Sequence, residues 1–224
     1  MKLRNVVLII LIIIAVDQAL KIWIKTTYTF GPITNVMGLS WFRLYFIENP
    51  GMAWGWEFGG EWGKMALSIF RLIAVIFGTW YLGRIVKQRY SRGFIICAAL
   101  IYAGALGNLL DSMFYGIIFS ESTYQTVAEA LPPGGGYAGF LHGKVVDMLY
   151  FPMIKSNFPS WFPFVGGQEF EFFSPIFNIA DASISGGIIT LFIFQRRFFR
   201  KHKDNDSAKT VETNAEVSDK VQVL

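Results

Sequence analysis

Four aspartates in apolar surroundings are the residues of this chain best suited to chemistry. Asp17, Asp111 and Asp181 lie inside or beside long apolar stretches, and Asp147 lies in the short apolar, strand-like run Val145–Met148. A carboxylate in hydrocarbon is costly, so each is a candidate functional group. Two carboxylates that face each other at low dielectric share one proton, so one can activate water while the other donates to a carbonyl oxygen. That is the chemistry of aspartic peptidases.

Other catalytic classes have less support in the residue inventory. The chain has only two histidines, His142 and His202, and no H-E-x-x-H motif, so no metal site is expected. Ser183 and Ser185 lie near Asp181, but no G-x-S-x-G elbow is present to activate a serine. We therefore expect chemistry that needs no metal and no cofactor.

Purely structural roles for these polar residues stay open at this point. Asp17 and Lys21 are four residues apart, so they share a helix face and can form a buried ion pair that fixes helix register. Asn108 and Asp111 are equally suited to hydrogen bonding between helices. Asp181 has no cation within one helical turn, which argues against a simple ion pair there.

Composition indicates the elements that must position these groups. The 224 residues are 53% hydrophobic and only 16% charged, whereas soluble domains carry about 25% charge. Four apolar stretches approach the length of about 20 residues that a helix needs to cross a bilayer. We predict an all-α membrane domain over residues 1–200 with four transmembrane helices, and a disordered cytoplasmic tail at 201–224. The predicted spans run from about Asn5 to Ile24, Met65 to Gly83, Phe94 to Phe119 and Ile176 to Phe194.

The positive charges predict how the spans are oriented. Lysines and arginines cluster before the first span, between the second and third, and after the fourth. The positive-inside rule makes that side the cytoplasm and turns the loops at about 25–64 and 120–175 outward. The first outer loop contains Leu39–Ile47, whose aromatic and β-branched residues predict a strand, followed by a turn at Asn49–Gly51.

Depth in the bilayer predicts that the polar groups meet. At about 1.5 Å of rise per residue, Asp17 lies roughly 18 Å and Asn108 roughly 21 Å from the inner edge of a core about 30 Å thick. Asp181 enters from the outer face and lies roughly 22 Å from that edge. These groups share one plane in the outer half of the bilayer, which Asp147 can reach from its loop. Close helix approach is expected at Gly104, Gly107, Gly186 and Gly187.

Five short motifs occur in order on matching elements across residues 1–200. They are Asp17–Lys21 (DQALK), Asn49–Gly51 (NPG), Gly104–Asp111 (GALGNLLD), Gly143–Asp147 (GKVVD) and Asn178–Asp181 (NIAD). Each is weak alone, but together they resemble the bacterial lipoprotein signal peptidases, the signal peptidase II family.

The resemblance implies an enzyme of the bacterial inner membrane with Asp147 and Asp181 as its catalytic pair. Its substrates would be prolipoproteins carrying diacylglyceryl on the lipobox cysteine, cut just before that cysteine. Membrane lipids and globomycin-type inhibitors would be further ligands, and nucleic acid would not. The first outer loop would form a small extracytoplasmic β-sheet cradle. Residues implied to support the site or position substrate are Asp17, Lys21, Asn49, Asn108, Asp111 and Asn178.

Two departures from the family pattern stand out. The family usually has arginine directly after the aspartate of the third span, where this chain has Ser112. Our hypothesis from sequence is that Lys144 supplies the missing cation. The stretch Met113–Leu141 is also long for the family, which suggests an insertion or a lid over the site.

Two rival functions use the same residue types. A proton-coupled transporter would need polar groups at several depths and usually an internal repeat; the second span offers only Arg71, and no repeat is present. A structural scaffold would not need a carboxylate in an outer loop as well as in helices. The sequence therefore favours the peptidase.

Overall fold

The protein is a helical bundle with a small antiparallel sheet at one end. A computed structural model describes residues 1–50, 60–152, 154–157, 159–163, 166–172 and 175–198. The predicted tail at 201–224 and Gly51 of the predicted turn lie outside these ranges. The helices are α1 (Leu3–Lys25), α2 (Gly60–Lys87), α3 (Arg92–Leu110), α4 (Gly116–Ile118) and α5 (179–198), with a π-helical turn at Asp111–Tyr115 joining α3 to α4.

The predicted membrane architecture is confirmed. Within the described ranges, Leu3–Lys25, Gly63–Lys87 and Arg92–Ile118 are long and apolar enough to cross a membrane, and α5 is consistent with a fourth span. Helix α5, the fourth predicted span, begins three residues later than predicted, at residue 179. Ile176–Phe177 forms a strand there, and the side chain of Asn178 then accepts the Asp181 N–H at 2.8 Å, as an N-cap does.

The sheet lies beside the end of the bundle where α1 and α3 finish and α5 begins. Its strands are β1 (Ile33–Asn35), β2 (Arg43–Asn49), β3 (Val145–Tyr150), β4 (Ile154–Asn157), β5 (Glu169–Phe172) and β6 (Ile176–Phe177). The first three and the last form one antiparallel sheet in the order β1-β2-β3-β6, while β4 pairs with β5. The strand predicted at Leu39–Ile47 begins later, at Arg43, and continues through Asn49. The strand-like run at Asp147 is confirmed as β3.

Two apolar clusters hold these layers together. One packs α1, α2 and α3 around residues such as Val6, Leu82 and Ile95. The other joins the sheet to the helix ends and includes Phe46, Met148 and Tyr115. β3 is buried along its whole length. The polar site described below lies between these two clusters.

The segment from Phe119 to Lys144 is packed against the sheet. Phe119 and Ala128 are buried in the apolar cluster of the sheet. The backbone N–H of Phe30 donates to the Thr123 carbonyl at 3.1 Å, and an isolated bridge joins Phe119 to Ala130. The long stretch noted in the sequence is therefore anchored to the sheet at Phe119, Thr123 and Ala128, while most of its other residues are exposed.

Three of the four glycines expected at helix contacts do lie at close approaches. A Cβ on Gly104 would lie 2.2 Å from the Ala180 carbonyl oxygen, and one on Gly187 would lie 2.9 Å from the Cys97 carbonyl oxygen. A Cβ on Gly107 would lie 2.9 Å from Asp17 Oδ2. The expectation for Gly186 is wrong: a Cβ there would meet nothing within 4 Å, because that face of α5 turns away from α3.

Gly104→Ala is expected to destabilise the protein by about 1–3 kcal/mol, because the added methyl forces α5 away from α3. Thermal unfolding in detergent would measure the loss. Gly186→Ala is the matched control, since it adds the same methyl to an open helix face and should leave the midpoint equal or slightly higher. Equal midpoints for Gly104→Ala and the native chain would contradict the close packing.

Candidate active site

Lys21 is the centre of a buried polar cluster between α1 and α3. Its side chain is fully buried, and its Nζ lies 2.9 Å from Asp17 Oδ2 and 2.7 Å from Asp111 Oδ2. The same ammonium donates to Asn108 Oδ1 at 2.9 Å. An ammonium has three donors, so each of them has an acceptor. The cluster therefore fixes α1 against α3 at the depth where the sequence places its polar groups.

Asp17 and Asn178 together satisfy the first turn of α5. Asp17 Oδ1 accepts the backbone N–H of Ala180 at 2.8 Å, and Asn178 Oδ1 accepts that of Asp181 at 2.8 Å. The free N–H groups of a helix start favour acceptors and negative charge. The beginning of α5, and Asp181 with it, is thus held by a residue of α1.

Two asparagines connect Asp147 with Asp181. Asn178 Nδ2 donates to Asp147 Oδ1 at 2.7 Å and to Asn108 Oδ1 at 3.1 Å. Asn108 Nδ2 donates to Asp181 Oδ1 at 2.7 Å, and Asn49 Nδ2 lies 3.4 Å from Asp147 Oδ2. All eight residues that the sequence singles out therefore belong to one hydrogen-bonded network. The carboxyl group of Asp147, on β3, and that of Asp181, on α5, are thus bridged by the side-chain amides of Asn178 and Asn108.

A β-bulge in β2 brings Asn49 to the face of the sheet that carries Asp147. β2 pairs with β3 through Leu44 with Leu149 and then Ile47 with Asp147, so β2 contains one extra residue between these pairs. Bulges re-aim side chains and are frequent beside active sites. The shift puts Asn49 opposite Val145, two residues from Asp147 and within reach of its carboxyl group.

The environment of Asp147 favours its protonated form. Burial raises its pKa from the ordinary value of 3.8 to about 7, and the negative charge of Asp181 acts in the same direction, while the donated hydrogen bonds from Asn49 and Asn178 act in the opposite direction. Asp147 is 3% exposed, whereas Asp181 is only half-buried. The two carboxyl groups therefore differ in solvation, which is the condition for an acid and a base to coexist at neutral pH.

Gln18 belongs to the network although the sequence argument gave it no role. Its Nε2 donates to Asp111 Oδ1 at 2.8 Å, and its Oε1 accepts from the Tyr115 hydroxyl at 3.1 Å. A polar amide next to Asp17 in an apolar span was the available signal. Gln18 holds the carboxylate of Asp111 in the position where Lys21 contacts it.

The hypothesis that Lys144 supplies a cation beside Ser112 is wrong. Lys144 Nζ lies 3.6 Å from Glu48 Oε2 and 3.4 Å from Glu121 Oε1. The cation at Ser112 is Arg71 of α2, whose Nη1 donates to Ser112 Oγ at 3.0 Å. The cause is geometric: Lys144 precedes β3, and its side chain is drawn to these two glutamates.

A second buried charge cluster supports the sheet next to this network. Lys25, at the end of α1, pairs with Glu48 and donates to Ser122 Oγ at 3.0 Å. Ser122 Oγ also lies 2.9 Å from Glu48 Oε1. Because Glu48 directly precedes Asn49, this cluster fixes the end of β2 that carries Asn49. Across the described ranges, no group of three or more His, Cys, Asp or Glu side chains is arranged to hold a metal ion.

Comparisons with known proteins agree with one another. A family model described as signal peptidase (SPase) II matches residues 9–197. A protein of Porphyromonas gingivalis named lipoprotein signal peptidase is 48% identical over 191 residues, which cover 85% of this chain and 82% of the relative. A protein of the same name from Amoebophilus asiaticus is 32% identical over 190 residues, covering 84% of this chain and 76% of the relative.

Solved structures show the same fold. One described as a bacterial membrane enzyme is 25% identical, covers 85% of this chain and 92% of its own, and has a TM-score of 0.54. A second with the same description is 23% identical, covers 87% and 89%, and also has a TM-score of 0.54.

Proposed function

Because the chain belongs to the signal peptidase II family of aspartic proteases, we propose that it cuts diacylglyceryl-modified prolipoproteins just before the lipidated cysteine, with Asp147 and Asp181 as its catalytic pair. Removal of signal peptides from prolipoproteins in a bacterial membrane follows from the family. The observation that supports the catalytic pair is the link through Asn178 and Asn108, which joins the two carboxyl groups within one network.

The difference in solvation suggests the role of each carboxyl group. Asp181, half-buried, takes a proton from the attacking water as the oxygen bonds to the scissile carbonyl carbon. Asp147, protonated beforehand, gives its proton to the carbonyl oxygen, and a tetrahedral diol forms. As the C–N bond breaks, Asp147 regains a proton from the diol and Asp181 gives its proton to the leaving nitrogen. The products are a carboxylic acid, which then loses its proton to water, and a free cysteine amine, and the pair returns to its starting state.

The remaining site residues would position this pair. Asn108 and Asn178 orient the two carboxyl groups, and Asn49 contributes from the sheet. Asp17, Asp111 and Lys21 hold the helices that carry them. None of these side chains needs to touch the scissile bond for the reaction above.

The orientation follows from charge. Arg84, Lys87, Arg89 and Arg92 lie between α2 and α3 or at their facing ends, which favours a cytoplasmic location for that loop and for both termini. The catalytic pair and the sheet then lie toward the outer face, where a diacylated cysteine is anchored. Exposed apolar side chains of the sheet region, such as that of Met37, which is 92% exposed, are suited to contact with membrane lipids.

A cleavage assay with the purified protein tests the proposal. A diacylglyceryl-modified precursor should be cut, a non-lipidated precursor should not, and a globomycin-type peptide should inhibit. A chelator should leave the rate unchanged if the mechanism uses no metal. Cleavage of both precursors at equal rates would contradict recognition of the lipid, and lack of cleavage of either would contradict the proposal itself.

The rate is expected to fall as the pH rises above about 7, because the pKa of Asp147 is raised to about 7 and loss of its proton leaves two carboxylates with no acid. Initial rates between about pH 5 and about pH 9 would measure this limb, and its apparent pKa belongs to the pair. A rate that rises through about pH 8 would contradict this assignment of the proton.

The raised pKa of Asp147 also predicts how stability depends on pH. Folding favours protonated Asp147, so the free energy of unfolding should decrease from about pH 4 to about pH 7. Asp147→Asn should flatten that decrease.

A further inference from the structure

Arg71 is an isolated cation in the apolar helix α2. It is the only charged residue between Lys64 and Arg84, and at about 1.5 Å of rise per residue it lies roughly 10 Å along the helix from Lys64. A charged residue at such a depth is costly and marks a functional position by default. The reaction proposed above gives it no role.

The position of its guanidinium is set from α3. Arg71 Nη1 donates to Ser112 Oγ at 3.0 Å, and Ser112 Oγ donates to the Asn108 carbonyl at 3.1 Å. Ser112 lies in the π-helical turn, a feature that is frequent at functional sites. The same turn of α3 therefore carries the partner of Arg71 and the asparagine that contacts Asp181.

Among the described residues, Arg71 uses only one of its five N–H donors in a hydrogen bond. Within the part of the chain that the structure describes, the bond to Ser112 is its one hydrogen bond, and no carboxylate lies at ion-pair distance. The carboxylates of Asp181 and Asp111 act on it electrostatically, Asp181 most strongly. The side chain is half-buried. A fixed guanidinium beside the catalytic pair thus retains N–H donors for a further acceptor.

We propose that Arg71 binds substrate by donating these N–H groups to a carbonyl oxygen of the lipidated precursor next to the scissile bond; this rests on the proposed function. A neutral carbonyl fits better than an anion, because the negative charges of Asp181 and Asp111 already act on the guanidinium. Two parts of the substrate offer such an oxygen, the peptide backbone and the fatty-acid ester. Arg71 would then hold the substrate against the pair while Ser112 keeps the guanidinium in place.

Steady-state kinetics of Arg71→Gln test the proposal. We expect KM for the lipidated precursor to rise about tenfold to a hundredfold, the loss that accompanies one or two charge-assisted hydrogen bonds, while the thermal midpoint stays near that of the native chain. Arg84→Gln is the control, since Arg84 lies toward the other end of α2, against Trp80, and should leave KM unchanged. An unchanged KM for Arg71→Gln would overturn the proposal.

Moving the guanidinium across the contact separates binding from a structural role. Arg71→Ser combined with Ser112→Arg preserves the set of side chains but attaches the arginine to the turn that follows α3. If the guanidinium binds substrate, this double variant should recover much of the KM lost in Arg71→Ser. A double variant that stays as weak as Arg71→Ser, although folded, would indicate that α2 itself needs its arginine, against the proposal.

Two further experiments identify the substrate oxygen that Arg71 contacts and distinguish a failure of this proposal from a failure of the proposed function. An ether-linked dialkyl precursor lacks the ester carbonyls: if Arg71 binds an ester, the native enzyme should prefer the ester substrate and Arg71→Gln should lose that preference. A preference that is equal in both enzymes assigns the contact to the peptide. Binding of the uncut precursor to Asp147→Asn, with and without Arg71→Gln, must differ about tenfold or more. Equal binding overturns the role of Arg71 alone, whereas a native enzyme that does not cleave overturns the proposed function.

Discussion

Cleavage of the lipidated precursor is expected to fall about a thousandfold or more in Asp181→Asn and in Asp147→Asn, with little change in the thermal midpoint. An amide cannot take a proton from water or supply an acidic one, and general acid–base groups contribute about a hundredfold to ten-thousandfold each. Both replacements keep the size of the side chain. The amide introduced by Asp147→Asn would retain an oxygen for the Asn178 amide, which lies 2.7 Å from Asp147 Oδ1. Single-turnover rates with excess enzyme would measure the loss.

Two comparisons make that result specific. Glu129→Gln makes the same chemical change at an exposed position of the segment that follows the third span and should cleave at the native rate. The double variant with both aspartates replaced should be no slower than the worse single variant, because the two groups act as one unit. Residual activity near the native rate in either single variant, with correct folding, would rule out the pair as the catalytic groups.

Replacing Lys21 by methionine is expected to destabilise the protein by about 3–5 kcal/mol and to reduce cleavage severely. Asp17 and Asp111 are both buried and each contacts the Lys21 ammonium. Removal of one partner of a buried ion pair leaves uncompensated charge, which costs more than the pair contributes. Activity should fall as well, because Lys21 also holds Asn108, the donor to Asp181. Thermal unfolding and the cleavage assay would measure the two losses separately.

A compensating variant distinguishes charge from packing. If unpaired charge is the cause, adding Asp17→Asn and Asp111→Asn to Lys21→Met should recover part of the stability, since a neutral cluster has no buried charge to compensate. Lys87→Met, at an exposed position of α2, should change little. A triple variant that is less stable than Lys21→Met alone would show that the hydrogen bonds of the cluster, and not its charge, dominate.

Much of the architecture could be predicted from local patterns. Apolar length placed the spans to within a few residues, and the hydrocarbon side chains around Asp17 and Asp111 marked them as interior groups. Their rise along the helices predicted that they come together with Asp181, as the shared network shows. The apolar run around Asp147 indicated a strand, and this strand is β3, which is buried along its whole length. These features are determined by residues close together in the sequence, so they can be predicted without knowledge of tertiary contacts.

Contacts between distant segments could not be predicted. The bulge in β2 depends on how two strands pair, and no local residue in Leu44–Ile47 signals it. Asp17 satisfies the N–H of Ala180, a partner 163 residues away. Whether Lys144 or Arg71 lies beside Ser112 depends on how α2, the end of α3 and the start of β3 are oriented relative to one another. Lys144 pairs with Glu48 and Glu121, and the positions of these two glutamates in the sequence do not predict that pairing.

The attachment of α5 to Asp17 has a consequence for biosynthesis. A growing chain inserts its first three hydrophobic segments, with Lys21, Asp17 and Asp111 already able to associate, long before residues 178–181 are translated. One of the two proposed acidic groups and the amide that orients the other, Asn178, arrive only with the last of the transmembrane segments. With Asp147 and Asp181 as the proposed catalytic pair, the chain cannot cleave a substrate before residues 178–181 are made and α5 has docked onto α1.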